Sequence, residues 1–420
     1  MEIFSLLIII ILAIITGIIT GLIPGLHINF ISILILINFQ TFQKILPIEQ
    51  LIIFIIIMSL THTFIDFIPS IMFGIPNSDT AMSILPGQQM ILNGQGYKAI
   101  FLSNLGSLFG VITSLFIGII FYFNLETFYN QIQPLLPYIL AIIVCLGIFL
   151  EPNFDSKFRA IMLILFTGGY GIFLLNSTQL NQPLLILFTG VFANAAIINS
   201  LLTKSQKIPQ QDYKLPKLKQ TITKKYLKSI LNGTISSSIC SITPAIGNIQ
   251  AATISTITSS KNKKTQNQQE NSQENQQNFI SLISLINTNN FILSLITFLT
   301  ISKARNGSIF VISQITNTIT INQIIKFYLI ILITTPIIFY LTLKIGKFAI
   351  KKLSKLTKQL KQINFTLLIL LTIQITYLES YFGLLCLIGA TLLGYLTIIL
   401  NIKRIHLLSA LIIPTIINLI

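Results

Sequence analysis

Long apolar runs separated by short polar segments recur along the whole chain of 420 residues. A helix needs about 20 residues to cross the hydrocarbon core of a bilayer, so the chain has room for about ten such helices with their connections. The alternating pattern that is typical of a membrane β-barrel does not occur. The pattern therefore predicts an all-α polytopic membrane protein with about ten transmembrane helices.

Polar and turn-forming residues interrupt the apolar pattern twice near the start of the chain. One interruption covers residues 21–29, and the other contains the run Phe67-Ile-Pro-Ser-Ile-Met-Phe-Gly-Ile-Pro-Asn-Ser-Asp-Thr-Ala-Met82. The hydrocarbon region tolerates such backbone only where protein or a water-filled cavity covers it. We therefore expect broken or re-entrant hairpins that line a polar site within the membrane.

The later part of the chain repeats this order of features. A break with the sequence Ile-Thr-Pro-Ala-Ile-Gly-Asn-Ile-Gln, residues 242–250, is followed by a polar segment at 279–290. Paired breaks at corresponding positions of two halves point to a transporter site. We predict a first membrane repeat at residues 1–203, a basic cytoplasmic linker at 204–228 and a second membrane repeat at 229–420. Inverted and parallel relations of the two repeats both remain open.

Composition supports the membrane class, because the mean hydropathy is +0.82 and only 9% of the residues are charged. Residues 261–278, KNKKTQNQQENSQENQQN, contain no apolar side chain and are predicted to form a disordered polar loop. The 3 cysteines match no metal-binding spacing, and no cofactor is expected.

Positive charge is concentrated in two segments of a chain with a net charge of +16. Residues 204–228 and 344–361 are rich in lysine, and basic segments stay on the cytoplasmic side of a membrane. Both are therefore predicted to face the cytoplasm. The helical spacing of the lysines in the second segment predicts an interfacial helix on anionic lipid. Nucleic acid is not an expected partner, because these bases flank apolar runs and lack an aromatic stacking pattern.

The motifs resemble those of a known family. Residues 21–26 read Gly-x-x-Pro-Gly-Leu, and residues 69–81 read Pro-Ser-Ile-x-Phe-Gly-Ile-Pro-x-Ser-x-Thr-Ala, followed by Pro86-Gly87 and Gly94-x-Gly96. This sequence resembles the large permease of tripartite tricarboxylate transporters (TctA, or DUF112), and most of all its archaeal branch. The resemblance implies a secondary transporter of carboxylates. In bacterial members, a binding protein and a small membrane subunit assist. The second Pro-Gly of the family stands here as Pro244-Ala245.

Substrate-binding candidates come from the breaks and from the polar segments. A Pro-Gly break leaves the first amides of the following half-helix without partners, and these amides suit a carboxylate. The alternative is that the breaks are helix kinks packed by their neighbours. The candidates are Pro24, Gly25, His27, Asn29, Ser70, Asn77, Ser78, Thr80, Asn287, Thr288, Asn289 and Asn290.

Ion-coupling candidates are the ionisable residues within apolar segments, which are costly there and are functional by default. His62 and Asp66 are four residues apart, so a helix places them on one face. They are candidates for a proton relay or for a structural pair, whereas Asp79 is a candidate cation ligand or helix N-terminal residue. Lys303 and Arg305 either contact substrate carboxylates or anchor the chain on the cytoplasmic side, and His406 is expected at an interface.

The broken segments and the resemblance together predict a multi-pass cell-membrane protein that is not an enzyme. We expect a secondary active transporter of small organic anions, in particular carboxylates, coupled to a Na⁺ or H⁺ gradient. One alternative is a membrane-embedded metalloenzyme with His27, His62, Asp66 and Asp79 as ligands. The other is a non-transporting membrane scaffold or channel.

Overall fold

The fold is helical throughout the part of the chain that the computed structural model describes. This part comprises residues 2–23, 28–73, 84–149, 151–202, 209–243, 248, 251–252, 255, 268–316, 319–356, 360–400, 402 and 404–420. Within these ranges there is no β-strand, and eight helical stretches are long and apolar enough to cross a membrane. The prediction of an all-α polytopic membrane protein is confirmed.

The first half contains short helices around the breaks and longer helices after them. Its helices are α1 (Glu2–Leu22), α2 (Ile28–Ile37), α3 (Phe39–Gln43), α4 (Ile48–Ile65), α5 (Phe67–Phe73), α6 (Ile84–Leu92), α7 (Gly96–Ile132), α8 (Leu136–Phe149), α9 (Phe154–Leu175), α10 (Pro183–Phe188) and α11 (Ala195–Leu202). A 3₁₀ turn, Gln133–Leu135, connects α7 to α8, and a π-helical turn, Thr189–Asn194, connects α10 to α11.

The second half contains fewer but longer helices. They are α12 (Leu218–Thr221), α13 (Lys224–Ile242), α14 (Gln268–Ile301), α15 (Gly307–Ile315), α16 (Ile321–Leu356), α17 (Leu360–Ile399) and α18 (Ser409–Leu419). Side-chain caps fix two of their starts. The Thr223 hydroxyl accepts a hydrogen bond from the Tyr226 amide, and the Asn306 side chain accepts one from the Ile309 amide.

The pairs α1/α4 and α13/α14 share one arrangement, because each consists of two parallel neighbours. In the first pair Gln50 bonds Ser5 at one end, and Gly21 lies against Ile65 at the other. In the second pair Lys225 bonds Glu274 at 2.5 Å near the start, and the Thr297 hydroxyl bonds the Ser241 carbonyl farther along.

The two pairs run in opposite directions. Helix α7 is parallel to α14, with Ser281 donating to the Leu102 carbonyl and Gly118 near Ile296. Helix α16 is antiparallel to α7, with Asn104 donating to the Phe339 carbonyl. Helix α4 starts near the beginning of α16, where Lys326 pairs with Glu49 at 2.8 Å. It is therefore antiparallel to α14.

The last helical segment of each half packs on helices of the other half. The α10–α11 segment packs on α17, whereas α18 packs on α8 and α9. Helix α17 is a hairpin, since Ser380 has a φ of 61° and interrupts the helical backbone. Asn364 bonds Ser200 at one end of the α10–α11 segment, and Glu379 bonds the Asn181 amide at the other. Past the turn, Gly394 lies against Val191 as the chain returns.

A buried glutamate lies at each of these contacts between the halves. Glu379 accepts the Asn181 amide at 2.7 Å, and Glu151, which follows α8, lies 3.0 Å from Nε2 of His406. His406 is only 4% exposed within the protein, and its expected position at the membrane interface stays a prediction. The Glu151 carboxylate is the hydrogen-bond partner of this buried imidazole, and the sequence spacing did not indicate this contact.

Residues 268–278 form the start of α14, so the predicted polar loop is wrong over this part. Glutamine and glutamate are good helix formers, and the Lys225–Glu274 pair holds the segment against α13. Residues 261–267 lie outside the described residues. The predicted interfacial helix is also wrong for residues 344–356, because they continue the spanning helix α16 without a break.

The two basic segments meet at one end of the bundle. Lys351 lies over the Tyr213 ring at 5.8 Å from its centroid, and Lys347 lies over the Tyr97 ring at 5.9 Å. Close by, the Asp212 amide donates to the Gly94 carbonyl. A shared end agrees with a shared side of the membrane, and the cytoplasmic assignment stays a prediction.

Candidate functional site

Candidate residues from both halves of the chain come together where α4 meets α14. The ones that meet are His62, Asp66, Asn287, Thr288, Asn289 and Asn290. Ser70 lies beside them, with its hydroxyl donating to the Asp66 carbonyl at 3.0 Å. Asn29 belongs to the first turn of α2. The other candidates, Pro24, Gly25, His27, Asn77, Ser78, Asp79 and Thr80, lie outside the described residues.

The charged part of this site belongs to the end of α4. Asp66 is the residue that follows α4, is 1% exposed, and stays hydrogen-bonded through its amide to the His62 carbonyl. His62 Nε2 lies 4.0 Å from Asp66 Oδ2, and His62 Nδ1 lies 3.1 Å from the Thr20 hydroxyl of α1. The expected common face of His62 and Asp66 is therefore present.

A chain of asparagine amides continues from the carboxylate into the second half. Asn287 donates to Asp66 Oδ2 at 3.2 Å and accepts from Asn248 at 3.0 Å, and Asn248 in turn accepts from Asn290 at 2.8 Å. We call these linked side chains, Thr20, His62, Asp66, Asn248, Asn287 and Asn290, the central polar cluster.

Asn248 was not among the sequence candidates, although a signal for it existed. It stands shortly after Pro244 in the second break, as Asn29 stands shortly after Pro24 in the first. An asparagine after each break was thus visible in the sequence, but only Asn29 was selected.

Hydroxyl groups tie α4, α7, α13 and α14 together around the central polar cluster. Thr288 donates to the Thr63 hydroxyl at 3.2 Å, and Asn289 donates to the Thr113 hydroxyl at 2.9 Å. The oxygen of Asn289 accepts from Ser237 of α13 at 2.9 Å. Asn289 is therefore a bridge between α7 and α13, and its amide is directed away from Asp66.

Glycines of α7 allow α14 to come close enough for these bonds. A Cβ at Gly106 would lie 2.1 Å from the Ser281 carbonyl oxygen, and one at Gly110 would lie 2.8 Å from the Leu285 carbonyl oxygen. Small residues of this kind permit close backbone approach between membrane helices. The close packing of α14 on α7 determines how near the polar residues of α14 come to α4.

The chemistry of the central polar cluster suits a cation or proton next to a polar solute. A buried carboxylate is costly in a membrane protein unless it is paired, and such residues mark ion and substrate pathways. Asparagine amides both donate and accept hydrogen bonds, so they serve a carboxylate ligand and a cation equally.

A metal centre built from three or more His, Cys, Asp or Glu side chains does not occur among the residues that the structure describes. The four-ligand set of the metalloenzyme alternative is tested only in part, since His27 and Asp79 lie outside that portion of the chain.

Comparison with known proteins identifies the family. Residues 7–409 match the family model described as the tripartite tricarboxylate transporter TctA family. An uncharacterised protein of Methanocaldococcus jannaschii is 30% identical over 373 residues, which cover 86% of this chain and 87% of that protein. No solved structure matches the chain.

Proposed function

The chain belongs to the tripartite tricarboxylate transporter TctA family, and on this premise we propose that it is a secondary active transporter of small organic anions, chiefly carboxylates. Transport is coupled to a Na⁺ or H⁺ gradient. The family works with other components of a tripartite system, so a small membrane subunit and a binding protein are the proposed partners.

The observation that supports this function best is the hydrogen bond between Asp66 and Asn287. It joins the ionisable end of α4 to the amide-rich middle of α14, and both side chains are at most 5% exposed. A scaffold has no need for a carboxylate buried between two helices of opposite direction. A transporter uses such a residue, because binding of an ion there changes the free energy of the contact between the halves.

We assign ion coupling to His62 and Asp66 and substrate contacts to Ser70, Asn248, Asn287, Thr288 and Asn290. Asp79, Pro24, Gly25, His27, Asn29, Asn77, Ser78 and Thr80 keep their predicted roles. Asn289 is better explained as a bridge between helices than as a substrate ligand, because both ends of its amide already bond Thr113 and Ser237.

The two halves are proposed to be inverted repeats that alternate access to this site. The opposite directions of the parallel pairs α1/α4 and α13/α14 support this relation, as does the antiparallel pairing of α7 with α16. Inverted repeats in transporters enclose their site near the middle of the bilayer, which is where Asp66 and Asn287 meet in the proposed scheme.

Uptake into liposomes tests the proposal. Purified protein is reconstituted and given labelled succinate or citrate, with no gradient, an inward Na⁺ gradient or an inward H⁺ gradient. We expect saturable uptake that one of the gradients drives above equilibrium. Uptake that never exceeds equilibrium under either gradient would exclude coupling, and no flux of any carboxylate would exclude the proposed substrate class.

A further inference from the structure

Two cations and a tyrosine gather at the end of the bundle opposite to the basic segments. Helix α14 begins beside Lys225, which pairs with Glu274. From Glu274 to Ile301 it has 28 residues, and such a helix is about 40 Å long. Lys303 and Arg305 follow directly, so they lie at the far end of the bundle. We call Tyr129, Lys303 and Arg305 the outer cation cluster.

The geometry of the outer cation cluster is defined by one aromatic ring. Lys303 donates to the Tyr129 hydroxyl at 3.0 Å, and its ammonium lies 4.8 Å from the ring centroid. The Arg305 guanidinium carbon lies 5.6 Å from the same centroid. Ser302, with a φ of 55°, turns the chain after α14 so that both side chains reach Tyr129.

The positive charge of the outer cation cluster is not neutralised by any carboxylate that the structure describes. The ion pairs formed in the described ranges do not include Lys303 or Arg305. Arg305 Nε and Nη2 are buried, and within those ranges they have no hydrogen-bond partner. Buried donors of a charged group are costly without a partner. Helix α15 begins at Gly307, and its amino-terminal end adds further positive potential.

An anchoring role explains this cluster poorly. Basic anchors collect on the cytoplasmic side. The end of the bundle that is predicted to face the cytoplasm is the opposite one, where residues 209–228 and 344–356 meet. A guanidinium with two neighbouring donors in one plane is instead suited to bind a carboxylate through two hydrogen bonds. Tyr129 keeps the two cations in place by its ring and hydroxyl.

Buried serines lie between this end and the interior. Helix α14 carries Asn290 about 20 Å from Lys303 along its axis. From Gly307, α15 turns back to α4, where the Ser308 hydroxyl accepts from Ser59 at 3.1 Å and lies 3.5 Å from Ser32 of α2. These serines lie between the outer cation cluster and the central polar cluster.

We propose that Lys303 and Arg305, positioned by Tyr129, form an entry site for a carboxylate of a soluble di- or tricarboxylate on the non-cytoplasmic side. The inference rests on the proposed function and adds to it a first binding step that precedes the central polar cluster. The same chemistry would also accept a lipid phosphate, and the experiment separates the two sources.

Binding of succinate and citrate is measured calorimetrically on the full-length protein in nanodiscs of phosphatidylcholine, which carries no net charge. We expect Arg305→Gln to weaken binding of the better ligand about tenfold or more, and Lys303→Gln to weaken it less. Arg305→Lys, which keeps the charge and loses the planar fork, should fall between wild type and Arg305→Gln. Lys326→Gln is the matched control, because Lys326 lies at the same end and is 48% exposed.

The outcomes separate this inference from the proposed function. A wild type that binds neither ligand, or an Arg305→Gln protein with wild-type affinity, overturns the entry site. A variant that keeps carboxylate affinity but no longer retains phosphatidylglycerol in mixed nanodiscs assigns the cations to lipid. If carboxylate binding depends on Arg305 while liposomes show no uptake, the entry site holds and the transport proposal fails.

Discussion

The two halves provide similar helices but different chemistry to the central polar cluster. On the first half, α1 and α4 present Thr20, His62 and Asp66, of which two can carry charge. On the second half, Asn248, Asn287 and Asn290 present amides, and Asn287 occupies the place that faces Asp66. Parallel helix pairs of the same design therefore carry a charged side and a neutral side.

This difference separates two tasks that a coupled transporter performs. A charge on one half alone lets ion binding change the attraction between the halves. Neutral amides on the other half can exchange one hydrogen-bonding partner for another without burying a new charge. In the proposed transporter, similar helix pairs would move in a symmetric way, and the charge on one half would couple this motion to the ion gradient.

The largest expected effect comes from removing the charge of the first half. Asp66→Asn keeps the shape of the side chain, so exchange of substrate across the membrane should persist, whereas uptake driven by the ion gradient should no longer exceed equilibrium. Uptake and exchange are measured on the same preparation. Asp155→Asn, at an exposed position in the first turn of α9, serves as the control. Normal accumulation by Asp66→Asn would assign Asp66 to structure.

Moving the charge to the other half tests whether its position matters. Only 3.2 Å separates Asn287 Nδ2 from Asp66 Oδ2, so Asp66→Asn combined with Asn287→Asp transfers the carboxylate across the contact. We expect part of the accumulation lost in Asp66→Asn to return. Gradient-driven uptake is compared among the single and double variants. A double variant as inactive as Asp66→Asn would mean that the charge must remain next to His62.

A smaller effect is expected from the neutral side itself. Asn287→Leu removes the donor to Asp66 and the acceptor for Asn248, and the concentration for half-maximal uptake should rise about tenfold, as for the loss of a hydrogen bond to a charged group. Asn287→Gln keeps the amide and should cost less. If both variants retain the wild-type value, Asn287 does not contribute to substrate affinity.

The polar residues that the sequence made recognisable are those that are costly within apolar helices. His62, Asp66 and the asparagines of α14 were visible because charged and amide side chains are rare in such surroundings. The sequence did not single out the hydroxyl residues of the site, Thr20, Thr63, Thr113 and Ser237. Serine and threonine are common in membrane helices because they bond the preceding turn of their own helix, as Thr63 also does with the Leu60 carbonyl.

Helix direction and contacts between distant elements were beyond the sequence for a different reason. The parallel packing of α1 on α4 depends on the fit of Gly17 against Met58 and Thr61, and such complementarity is a property of two segments together. The helical start of α14 was not predicted, because the composition of a segment describes that segment in isolation. It does not include the neighbouring α13, whose Lys225 pairs with Glu274.

The smallest expected effect concerns the hydrogen bonds of Asn289, which connect α14 to α7 and α13. Ser237→Ala removes one hydrogen bond to Asn289, and bonds of this kind between membrane helices contribute about 0.6 kcal/mol on average. Asn289 keeps its bond to Thr113, so α14 should retain its depth and transport should stay close to wild type. Thermal unfolding in detergent and liposome uptake measure the two quantities. Strong loss of uptake with unchanged stability would show that Asn289 contacts substrate, and the neutral side would then extend as far as α13.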